Sequence, residues 1–214
     1  MSEQPTILAI DTTLEACSAG LLINGKKITT SEPMARGQTE RLVPMVQELC
    51  AANNVALGDL DALAVTLGPG SFTGVRVGLA TAQGMAFALS VPLYGYSTLE
   101  VISKVSDERP LTVAIDTKRG EVFTQNFDNA ENYNDPKIVT KQAFSEDTFT
   151  SLISNVEDFK GQKLTAKDIL DVLLDSALRD FKSGEIVSIN DLEPIYLRDA
   201  EISKSKINYR KIKA

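Results

Sequence analysis

Hydrophobic positions in the first hundred residues switch between unbroken runs and a spacing of three and four. Ile7, Leu8, Ala9 and Ile10 form an unbroken run between polar residues, which predicts a strand covered on both faces. A second run, 18–23, stops at Asn24-Gly25, a pair suited to the left-handed positions of a tight hairpin, so 26–31 is predicted to return beside it. Over 39–53, Leu42, Val43, Val46, Leu49 and Cys50 recur at helical spacing, with Gln38 or Thr39 at the start and Pro44 within about the first turn. Residues 61–67 read as another buried strand. They run into Gly68-Pro69-Gly70-Ser71-Phe72-Thr73-Gly74, then a helix over 75–89, a strand over 91–94 and a helix over 98–106.

After Pro110 the pattern restarts. An apolar run over 111–115 is followed by Asp116-Thr117-Lys118-Arg119-Gly120 and a returning strand over 121–127. The opening of the chain has the same plan, with Asp11, Thr12 and Thr13 in the corresponding turn about 105 residues earlier. Such a repeat predicts two related halves, 1–109 and a smaller 110–214. Residues 130–163 are polar and without a clear period, whereas Ile169, Leu170, Leu173, Leu174, Ala177, Leu178 and Phe181 predict an amphipathic helix over 169–181. Hairpins joined to helical crossovers imply an α/β fold with mixed parallel and antiparallel pairing.

With 214 residues, 43% apolar and 24% charged, the chain can bury a substantial core. No apolar stretch reaches the roughly 18 to 20 residues of a membrane span, and no basic region precedes the first short apolar run, so a cytoplasmic protein without a membrane partner is expected. Cys17 and Cys50 are widely separated and the chain has no histidine, so no metal set is expected and both read as buried free thiols. The lack of histidine also closes serine-histidine and cysteine-histidine nucleophilic schemes, and a peptidase with them. Net charge is -7, but residues 203–214 hold Lys204, Lys206, Arg210, Lys211 and Lys213 without an acid, leaving -12 on residues 1–202. An acidic body repels phosphates, so RNA is not expected to bind it directly. The basic segment reads either as a solvated terminus or as an RNA or partner contact.

Three features could carry chemistry. The glycine-rich loop leaves a strand and opens a helix, where free backbone N–H groups can cradle an anion. Its glycine spacing fits neither the P-loop nor the dinucleotide fingerprint. The competing reading is a tight turn and close helix contact, with Gly74, Gly78, Ala82 and Ala86 as a small-residue stripe, inside the monomer or across an interface. Asp11, Thr12 and Thr13, and Asp116, Thr117 and Arg119, stand at matching turns, where they either face a nucleotide's phosphates and metal or cap their own backbone. Glu40 and Glu121 read as surface carboxylates.

The run GPGSFTGVRVGLATAQGMAFAL, with LAIDTT near the start, RGQTERLVPMV at 36–46, IDTKRGEVF at 115–123 and PIYLRDA at 194–200, resembles the TsaB (YeaZ-type) family. The resemblance implies the actin, sugar-kinase and heat-shock ATPase fold, two subdomains each built on a mixed five-stranded sheet. It implies a non-catalytic scaffold in tRNA threonylcarbamoyladenosine synthesis, with no catalytic residue and no metal of its own. The expected partners are a TsaD-like catalytic subunit, a TsaE-like ATPase and, alone, a second copy, with tRNA met only through the complex. No cofactor is required, Asp11, Thr12, Thr13, Asp116 and Arg119 being a vestigial cleft; ATP or ADP would sit at a subunit interface. The implied interface comprises Arg36, Thr39, Glu40, Leu42, Val43 and Val46 on the first helix and Gly74, Gly78 and Ala82 on the second. The alternative is an independent actin-like ATPase or small-molecule kinase in which Asp11 or Asp116 positions a magnesium nucleotide.

Overall fold

The computed structural model describes residues 4–129, 133–157, 159, 161–184 and 188–197; the basic segment 203–214 lies outside them. Strands β1 (Ile7–Asp11), β2 (Ala16–Ile23), β3 (Lys26–Pro33), β4 (Ala62–Thr66) and β5 (Leu93–Tyr96) form one sheet, in the order β3-β2-β1-β4-β5. Strands β6 (Leu111–Asp116), β7 (Glu121–Phe127), β8 (Lys137–Thr140), β9 (Leu152–Ser154) and β10 (Gln162–Lys163) form the other, in the order β10-β9-β6-β7-β8. From β1 and from β6 alike, two successive antiparallel pairings lead to one edge and two parallel pairings to the other. The halves therefore share one topology, that of the actin-like fold, and Asp11 and Asp116 end equivalent strands.

Helices α1 (Gln38–Ala52), α2 (Phe72–Leu89), α3 (Thr98–Ser103), α4 (Lys141–Glu146) and α5 (Ala166–Ser183) complete five layers. On β1, Leu8 and Ile10 pack against α1 and α2, while Ile7 and Ala9 face α3 and α5. Both faces are covered, hence the unbroken apolar run. On β6, Val113 and Ile115 join the same central layer, and Ala114 turns outward to Phe144 of α4. The helices of the central layer are exchanged between halves: α3, from the first, packs on β6 and β7, and α5, from the second, lies along β1 to β4.

Local chemistry explains most boundaries. Asn24 and Gly25 have φ of 49° and 76°, the left-handed pair the hairpin requires. Helix α2 starts one turn earlier than the hydrophobic period suggests, because Ser71 Oγ accepts the Gly74 N–H and caps it. Pro44 lies in the second turn of α1, not the first, so the Glu40 carbonyl lacks its usual amide partner. Helix α3 stops at Ser103, beyond which the Arg109 guanidinium donates to the carbonyls of Ser103, Ser106 and Glu108 and ties down the link between sheets. Helix α5 begins at a reciprocal Thr165–Asp168 capping box and ends on Gly184 at φ 74°. No helix among the described residues is long and apolar enough to cross a membrane.

Candidate functional site

The turns after β1 and β6 flank a cleft of about 440 Å³ lined by Thr13, Glu15, Gly70, Ser71, Asp116, Lys118, Arg119 and Tyr196, among others. The aspartate of each turn is engaged by neighbouring groups of the protein. Asp11 is buried, and its Oδ1 accepts from the Thr13 N–H at 3.2 Å and from the hydroxyls of Thr13 and Thr66, each at 2.6 Å. Asp116 accepts the Lys118 N–H at 2.7 Å on Oδ1 and the Lys141 ammonium at 2.9 Å on Oδ2. Burial pushes the Asp116 carboxyl up, but Lys141 and Lys118 outweigh it and hold it below the usual carboxylate range. Lys118 Nζ also reaches Glu15 Oε2 at 3.3 Å, so an ion pair joins the two turns across the cleft.

The glycine-rich loop is filled by the protein itself. Thr12 Oγ1 donates to the Gly74 carbonyl, and the Ser71 N–H donates to the Thr13 carbonyl, both at 2.7 Å. A Cβ on Gly74 would stand 1.9 Å from the Thr12 carbonyl oxygen, and one on Gly70 2.4 Å from that of Thr13. The loop thus clasps the Asp11 turn through close backbone approach.

Five of the nine expected interface residues are buried within the chain itself. Gly74, Gly78 and Ala82 face the protein's own sheet and the Thr12 turn, and Leu42 and Val46 are core residues beneath α1; none lies on an outer surface, because helical spacing put them on the packed face. Arg36, Thr39, Glu40 and Val43 are exposed. Sequence reasoning missed the other face of α2, where Ala80, Gly84, Phe87 and Ala88 meet solvent and Phe87 is 81% exposed. The available signal was that small and apolar residues continue beyond the packed face of α2, broken there only by polar residues such as Arg76 and Gln83, which a helix with one packed face does not need.

Residues 188–197 return from the second half and strap across the first. The Ile195 N–H donates to the Leu67 carbonyl at 2.7 Å, Gln83 donates to the carbonyls of Ile189 and Leu192, and Leu192 enters the core under α2. A Cβ on Gly68 would come within 2.8 Å of the Ile195 oxygen. At the cleft mouth, Tyr196 meets Phe72 at a ring-centroid distance of 5.3 Å, with the Arg76 guanidinium 3.5 Å from the Phe72 centroid. Residues 198–200 of the PIYLRDA motif lie outside the described residues.

Among the described residues no group of three His, Cys, Asp or Glu side chains could hold a metal ion. Cys17 and Cys50 are buried free thiols, and burial pushes that of Cys17 up to about 11.

A family model described as TsaD, tRNA N6-adenosine threonylcarbamoyltransferase, matches residues 30–178. The tRNA threonylcarbamoyladenosine biosynthesis protein TsaB of Haemophilus influenzae is 32% identical, covering 94% of this chain and 97% of its own. The protein of the same description from Escherichia coli is 31% identical, covering 90% and 94%. The solved structure of YeaZ from Pseudomonas aeruginosa superposes with a TM-score of 0.71 at 28% identity, covering 90% of this chain and all of that one.

Proposed function

This chain belongs to the TsaB family, within the wider family that the TsaD model describes, and from that premise we propose that it serves tRNA threonylcarbamoyladenosine biosynthesis as a non-catalytic subunit. It binds a TsaD-like subunit, and through that assembly a TsaE-like ATPase, for transfer of threonylcarbamoyl to N6 of the adenosine beside the tRNA anticodon. The observation carrying this reading is the state of the two aspartates. An actin-like ATPase needs carboxylates free to hold a magnesium nucleotide, whereas here Asp11 is buried with two hydroxyls and an amide on its Oδ1, and Asp116 is matched by lysines. The chain needs no cofactor of its own; an adenine nucleotide belongs at a joint between subunits.

The contact surface is the outer face of α1 and α2: Arg36, Thr39, Glu40 and Val43 with Ala80, Gly84 and Phe87. A solvent-facing phenylalanine beside small residues suits close helix packing by a partner. The same face pairs with a second copy when the chain is alone. Phe87→Glu combined with Val43→Asp should keep the circular dichroism and unfolding midpoint of the parent yet weaken association with the TsaD-like subunit at least 100-fold, read by size-exclusion chromatography with light scattering. Threonylcarbamoyl transfer should require both proteins. An intact complex with the double variant would refute the surface, and ATP turnover by the isolated chain would refute the non-catalytic role.

A further inference from the structure

We propose that Arg76, braced on Phe72 and Tyr196, is a charged anchor that takes a carboxylate of the TsaD-like subunit; this rests on the function proposed above. Phe72, Arg76, Ala80 and Gly84 follow one another at intervals of four along α2, and the row continues to Phe87. The cluster therefore extends the solvent-facing side of that helix to its N-terminal end, about 16 Å from Phe87 at roughly 1.5 Å per residue. The starts of α1 and α2 meet there, since Ala35 and Gln38 line the same cleft as Ser71 and Phe72. Each start carries an exposed arginine, Arg36 or Arg76, without a carboxylate in ion-pair distance among the described residues. Glu40, exposed in the first turn of α1, pairs with neither, whereas Arg41 is held by Glu32 and Glu48. The acids of the cleft are also taken up, Glu15 by Lys118 and Asp116 by Lys141. On a chain of net charge -7, this corner attracts an acidic segment that the rest of the surface repels.

Anchoring the strap does not account for this arginine. The Ile195 amide bond to Leu67, the Gln83 donors and buried Leu192 already fix the strap. The Arg76 guanidinium instead lies 3.5 Å from the Phe72 centroid and 5.3 Å from that of Tyr196, two rings each 41% exposed. Stacking of this kind holds the planar fork in place before a partner arrives. A carboxylate then docks at a small cost in ordering and gains a two-pronged, charge-assisted hydrogen bond. Arginine and tyrosine are also the residue types in which interface energy concentrates. A protein carboxylate, rather than a phosphate, follows from position, because Arg76 ends the same row of α2 whose Ala80, Gly84 and Phe87 form the proposed contact surface.

The test uses the two full-length proteins, with association followed by surface plasmon resonance and folding by the unfolding midpoint. Arg76→Glu should weaken binding to the TsaD-like subunit by about 30-fold or more, because it sets like charges against each other. Its unfolding midpoint should stay at the parent value, since Arg76 is exposed. Arg76→Lys keeps the charge but loses the planar fork and the stack, and should weaken binding roughly tenfold, mostly through faster dissociation. Among single charge reversals of exposed carboxylates on the TsaD-like subunit, one should restore binding to the Arg76→Glu chain and weaken binding to the parent. Parent-like affinity of the folded Arg76→Glu chain overturns this inference, and so does the failure of every reversal to restore it. A loss confined to an unmodified tRNA transcript or to ATP, with the subunit contact intact, also overturns it by giving the guanidinium a phosphate. Those results leave the proposed function standing, whereas a parent chain that forms no complex overturns that function instead.

Discussion

At the scale of single residues, the Asp116 carboxylate and its lysines are the clearest case for measurement. Its folded pKa is lowered, so both states are ionised and its contribution is complete above the unfolded value of about 3.9; that contribution is lost as pH falls through the folded value. Lys141→Met should therefore cost about 1 kcal/mol at pH 7 and progressively less as the pH falls below about 3.9, by urea midpoint across that series. Gly74 gives a second prediction. Alanine there drives a Cβ into the Thr12 carbonyl, so G74A should destabilise by about 3 kcal/mol in urea titration, while Gly84→Ala, with open space around it, should not. The sequence identified Asp11, Asp116 and the glycines as positions that matter. It did not say what they meet, because Thr66, Lys141 and the Thr12 carbonyl are 25 to 62 residues away along the chain.

Among the elements, length decided what could be read. The long helices declare themselves through period, β1 and β4 through unbroken apolar runs buried on both faces, and the β2–β3 hairpin through its Asn24-Gly25 turn. Strands β8, β9 and β10 and helix α4 have four, three, two and six residues, too few for a period to emerge, and 130–163 accordingly looked featureless. Helix faces were harder. Spacing marked Leu42, Val46, Gly74 and Ala82 as one set, yet only the fold shows that set facing the first sheet and leaves Phe87 outside. Helix α5 makes the consequence testable. Leu173 and Leu174 are fully buried against strands of the first half, so Leu173→Ala should cost about 2 to 5 kcal/mol. The loss should appear in hydrogen exchange of β1 and β4 as much as in α5 itself, whereas a helix serving only its own half would leave those strands protected.

For the whole molecule, two sheets of identical topology enclose a shared middle layer of α3 and α5, and residues 188–197 strap the second half to the first. The repeated strand-turn-strand pattern around Asp11 and Asp116 foretold the duplication. The exchange of helices left no mark on the hydrophobic period, because an amphipathic helix looks the same whichever sheet receives it. That exchange bears on how the protein is made. Strand β5 ends at Tyr96, but the helix that seals the rear of its sheet ends at Ser183. At about 5 to 20 residues per second, the ribosome needs roughly 4 to 17 seconds to cover that interval. Throughout it, Ile7, Ala9, Ala62 and Ala64 lack the cover that α5 provides, so the nascent first half keeps an apolar face open until α5 has been made.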